Sequence, residues 1–129
     1  MLEGRKHILL VEDDRTFSTI HQRALEREGY GVLHASDGEQ GWLEAERSQP
    51  DAIVLGIALP KLDGFALLER LKTEPATATL PVIVYSRLCS KEDVQKCLNL
   101  GAHAYLMKAH HGPEDLSHCL SSLFAADAV

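Results

Sequence analysis

With 129 residues, a formal charge of −6, 45% hydrophobic and 25% charged residues, the sequence suits one soluble globular domain over positions 1–129, able to bury about two thirds of its unfolded surface. This makeup excludes intrinsic disorder, and 19 acids against 13 scattered bases exclude broad binding to a nucleic-acid backbone. No apolar run approaches a membrane span or the core of a signal peptide, and Cys89, Cys97 and Cys119 fit neither a disulfide framework nor a zinc site, so a cytoplasmic protein with idle reduced thiols is expected.

In chain order, a first strand is expected at "HILLV", His7 to Val11. A helix follows, capped by Asp14 and stopped by Gly29, with Phe17, Ile20, Ala24 and Leu25 on one face. The more mixed run "GVLHA", Gly31 to Ala35, suits an edge strand, and a helix is expected from Glu39 to Ser48. Strand three is "DAIVL", Asp51 to Leu55, before a helix from Gly64 to Lys72. Strand four is "PVIVY", Pro81 to Tyr85; Ser90 to Asp93 then has the spacing of a capping box, ahead of Val94, Cys97 and Leu98 in a helix ending at Gly101. Strand five is "AYLM", Ala104 to Met107, and Pro113 opens a last helix carrying Leu116, Leu120, Leu123 and Phe124.

Five strand-then-helix units joined by right-handed crossovers imply an α/β fold with a doubly wound parallel sheet. Ligands of such sheets gather at the carboxyl ends of the strands, where strand order reverses. The residues just beyond the strands therefore matter most: Glu12, Asp13 and Asp14 after the first, Gly56 after the third, Ser86 and Arg87 after the fourth, and Lys108 after the fifth.

In that order, "ILLVEDD", "LPKLDGF", "PVIVYS" and "GAHAYLMKA" resemble, over nearly the full length, the receiver domain of two-component response regulators. The resemblance implies a flavodoxin-like (βα)5 fold with strand order 2-1-3-4-5. It implies an acidic pair at Glu12 and Asp13 that holds Mg²⁺, a hydroxyl at Ser86, a switch aromatic at Tyr105 and a phosphate-binding lysine at Lys108. It further implies a phosphoacceptor aspartate four residues before the loop proline, Pro60, and that position holds Gly56. A glycine can neither attack phosphorus nor give a metal a carboxylate. Arg87 stands where the family has a small residue and is expected to crowd or fill the pocket. Ala109 stands where the family has a cis proline, so a trans bond after Lys108 is expected.

These departures point to a pseudo-receiver: no catalysis, no cofactor beyond weak Mg²⁺ at Glu12 and Asp13, and an ion pair of Lys108 with Asp13. A protein partner or second copy is expected on the face of the fourth helix, fifth strand and fifth helix, through Lys91, Gln95, His103, Tyr105 and His118. Asp51 lies about 16 Å from the far end of its strand, Asp63 with Gly64 reads as a turn, and adjacent His110 and His111 point apart, so none of them replaces the missing nucleophile or joins a metal site. Two rivals remain: a receiver phosphorylated on another acid such as Asp14, or silenced by an introduced Gly56; and a small-ligand or flavin domain, disfavoured by the acidic loop after the first strand.

Overall fold

In the computed structural model, which describes residues 4–127, strands β1 (His7–Val11), β2 (Gly31–Ala35), β3 (Ala52–Leu55), β4 (Val82–Ser86) and β5 (Ala104–Met107) alternate with helices α1 (Arg15–Arg27), α2 (Gly38–Ser48), α3 (Gly64–Thr73), α4 (Lys91–Asn99) and α5 (Pro113–Asp127). The strands form one parallel sheet in the order β2-β1-β3-β4-β5, as the resemblance implies. Ile8 pairs with Val32 on one side and with Ala52 on the other, so β1 and β3 lie side by side at the point where the order reverses.

Alternation along the strands divides the apolar residues between two layers. Leu9, Val11, Ile53, Leu55 and Val84 pack with Trp42, Leu67, Leu68 and Cys97 of α2, α3 and α4. Ile8, Leu10, Val54, Ile83 and Tyr85 pack with Leu25, Leu116, Leu120 and Leu123 of α1 and α5. Burying each such large side chain contributes about 1.5–3 kcal/mol, and filling both faces holds the carboxyl edge of the sheet in place.

Local signals set most helix starts. Asp14, Asp37, Asp63 and Ser90 accept the amides of Phe17, Gln40, Ala66 and Asp93, so Asp63 is a helix cap rather than only a turn. Gly64 is required by close approach, because a Cβ there would stand 2.4 Å from Ile57 Cα; its amide donates to Ile57 O at 2.7 Å, drawing the loop after β3 against the sheet.

Several expectations need correction. Ile20 is 52% exposed and Leu98 41% exposed, while the inward face of α1 is made by Ser18, His21 and Leu25. His21 is buried because Tyr85 and the Phe17 carbonyl partner both ring nitrogens. Asp51 and Pro81 precede their strands, Ser86 ends β4, and α3 runs one residue further, to Thr73. The apolar run of β5 forms an edge like β2, with only Leu106 buried. No helix among the described residues is long and apolar enough to cross a membrane.

Candidate functional site

The end of β1 lies against the end of β3, since the Gly56 amide donates to Val11 O at 2.9 Å. Glu12 continues β1, its amide donating to Ala35 O, and its side chain is 3% exposed. Strand alternation turns the next residue, Asp13, outward into solvent. From the far side, the Lys108 amide donates to Ser86 O at 2.8 Å, which brings the lysine over the same edge. Ser86 is buried and its Oγ accepts the Leu88 amide at 3.1 Å.

These placements correct the expected ion pair. Lys108 Nζ lies 2.8 Å from Glu12 Oε1, not against Asp13, because the buried carboxylate within reach belongs to Glu12. Glu12 Oε2 accepts the Asp14 amide at 2.9 Å, so both carboxylate oxygens are engaged. The ammonium also stands 4.0 Å from the centroid of the Phe17 ring, a cation–π contact.

The cleft lined by Glu12, Asp13, Gly56, Ser86, Arg87 and Lys108 encloses about 10 Å³, the room of one water at most. The ion pair fills it. Arg87, expected to crowd the pocket, is exposed on its rim, because it follows an inward-facing strand end and points the other way. A Cβ built on Gly56 would stand 3.0 Å from Glu12 Oε1, so a side chain there would press directly on the pair.

The residues present do not fit Mg²⁺, which needs near-octahedral oxygen ligation and keeps several waters. Glu12 is committed to Lys108 and a backbone amide, Gly56 offers no side-chain oxygen, and the cleft lacks room for a hydrated ion. No group of three or more His, Cys, Asp or Glu among the described residues could hold a metal.

Tyr105 is half-buried, and its hydroxyl donates to Leu88 O at 2.8 Å; burial raises its pKa. It therefore faces inward, while Lys91, Gln95, His103 and His118 are exposed, the last beside Arg27 and Glu28 of α1. Tyr105→Phe should lower stability by about 1 kcal/mol, since it leaves the Leu88 carbonyl unpaired; equal denaturation midpoints for the two proteins would refute this. Asp51 Oδ2 accepts the His7 amide and Asp14 caps α1. No peptide bond among the described residues is cis, Lys108–Ala109 included.

Sequence reasoning missed one cluster behind the cleft, made by Phe17, His21, Tyr85 and His111. Burial, then Asp115, pushes the Tyr85 hydroxyl up to about 12. Burial lowers the His21 pKa, and the Lys108 charge adds to this. The available signal was Tyr85 itself, a phenol after the aliphatic run Val82 to Val84, whose hydroxyl needs a partner once buried.

The sequence matches the family described as response regulator receiver domain across residues 8–120. It is 38% identical to a gliding motility regulatory protein of Myxococcus xanthus over 92% of this chain and 15% of that protein. It is 35% identical to the DNA-binding dual master transcriptional regulator RpaA of Synechocystis over 95% of this chain and 51% of that protein. The chain thus spans about half or less of the length of these curated relatives. A CheY-like receiver domain protein from Methanospirillum hungatei superposes with a TM-score of 0.87 at 30% identity, covering 95% of each chain. From the sheet order, the carboxyl-edge cleft and this match, the chain belongs to the response regulator receiver domain family.

Proposed function

We propose that this chain is a pseudo-receiver: a signalling module, not an enzyme, that takes no phosphoryl group at the usual position and acts by binding a protein partner whatever the phosphodonor supply. The observation that carries this reading is the end of β3. Gly56 stands there without a nucleophile, and the lysine that would hold a transferred phosphoryl group is bound to Glu12 at 2.8 Å. In this reading Glu12 and Asp13 are remnants of a metal site, Ser86, Arg87 and Lys108 are remnants of a phosphate pocket, and Tyr105 is a switch aromatic without its trigger. The family's two-state equilibrium then rests where the domain's own contacts set it, because only differential affinity shifts a population.

The proposed partner surface is the face of α4, β5 and α5, where Lys91, Gln95, His103 and His118 are exposed; a second copy of the chain is the other candidate occupant. Nucleic acid is not proposed as a ligand of this domain, and a cytoplasmic setting accords with its membership of a signalling family. Incubation with acetyl phosphate and Mg²⁺, followed by intact mass, should show no gain of a phosphoryl group. A stoichiometric, base-labile adduct would overturn the reading. Mapping that adduct to Asp13 or Asp14 would establish the rival in which another acid accepts the group.

A further inference from the structure

The turn that follows β5 is tied down through His111. Because β5 is an edge strand and the Lys108 amide points inward to Ser86 O, alternation points the Met107 amide at the free edge, where no strand can accept it. His111 Nδ1 accepts it instead, at 2.9 Å. The same residue's carbonyl accepts the Tyr85 hydroxyl at 2.5 Å. His111 thus ties the turn to both strands, its ring and its amide to Met107 of β5 and its carbonyl to Tyr85 of β4, while the His110 amide adds a second bond to Met107 O.

Counting protons defines the state in which this closure holds. A backbone N–H can only donate, so His111 Nδ1 supplies a lone pair and the ring proton sits on Nε2. The Tyr85 hydroxyl has one proton, committed to the His111 carbonyl. His21 Nδ1 meets Phe17 O at 2.9 Å and therefore carries a proton, and its Nε2 lies 3.3 Å from the Tyr85 oxygen. His111 Nδ1 is unprotonated in this arrangement, and a proton on it would set one donor against another.

We infer that the β5–α5 turn is a pH-gated joint, closed while His111 Nδ1 is unprotonated and released from the Met107 amide when that nitrogen takes a proton. The charged and titratable groups around it begin with His110, its neighbour on the turn. Lys108 lies on the same turn and is neutralised by Glu12 of β1. Tyr85 faces it from β4, with His21 of α1 behind. Asp115 of α5 accepts the Gly112 amide next to it. Release removes one tie from the turn that carries Lys108 and leads into α5, while the His110 and His111 amides still donate to Met107 O, so acid would loosen the Met107 amide first.

Hydrogen exchange measured by NMR on the full chain tests this. The Met107 amide should lose about tenfold in protection factor as the pH is lowered from 7.5 to 5.5, while Ile53 and Val54 of β3 keep theirs. In His111→Asn, whose side-chain oxygen can accept the same amide without titrating, the Met107 protection should be flat over that range. Unchanged protection in the wild type, parallel loss in β3, or wild-type pH dependence in His111→Asn would each overturn the inference. Imidazole ¹⁵N shifts of the wild type decide it without any variant: an unprotonated Nδ1 on His111 at pH 7.5 is required, and an Nδ1–H tautomer would overturn it.

Discussion

Gly56→Asp should yield a protein about 2 kcal/mol less stable in Mg²⁺-free buffer and still slow to take a phosphoryl group from acetyl phosphate. The loss follows from crowding. A Cβ at position 56 stands 3.0 Å from Glu12 Oε1, and the carboxylate beyond it would meet a buried like charge that now holds Lys108. The new carboxylate would complete a set of three acids with Glu12 and Asp13. Millimolar Mg²⁺ should then raise the melting temperature of the variant by a few degrees while leaving the wild type unchanged. Phosphorylation should stay slow, because Lys108 must first leave Glu12 and the turn after it lacks the family's proline. Rapid, stoichiometric modification of the single variant would mean that one substitution silenced an otherwise competent receiver.

The second large effect is expected at the ion pair. Glu12→Gln should cost about 3 kcal/mol, since it strands an ammonium whose side chain is 13% exposed without its counter-charge, and removing one partner of a buried pair typically costs 3–5 kcal/mol. Glutamine keeps an oxygen for the Asp14 amide, so the loss reports the charge and not the cap. Lys108→Met places an apolar chain over Phe17, and combining it with Glu12→Gln should cost less than the two single losses added together, by about 1 kcal/mol or more. Urea denaturation of the four proteins measures this; additive losses would show that the pair does not hold the cleft closed.

The features legible in the sequence are those that depend on near neighbours. Asp14 and Ser90 announce their helices because a cap needs only the amide three residues on, and the strand runs stand out because a doubly covered parallel sheet demands unbroken apolar residues. The misreadings arise where a distant residue decides. Ile20 has the spacing for the core yet is exposed, while polar His21 is buried, because Tyr85, 64 residues away in the chain, sets its hydroxyl oxygen against the ring. Asp13 and Glu12 are equivalent as acids in the sequence; the turn of the chain after β1 decides which one Lys108 meets.

By itself the sequence determined the five βα units, the order of the motifs at the carboxyl edge and the absence of a carboxylate at position 56, since residue identity and short-range periodicity suffice for these. Only the tertiary structure decided that Glu12 takes Lys108, that Arg87 stands outside the cleft, that Tyr105 turns inward to Leu88 O, and that His21, Tyr85 and His111 meet behind the site. Apart from Arg87, each of these rests on a contact between residues well separated in the chain, where a side chain's partner is set by which way a strand end points and by the need to satisfy every polar group taken out of water.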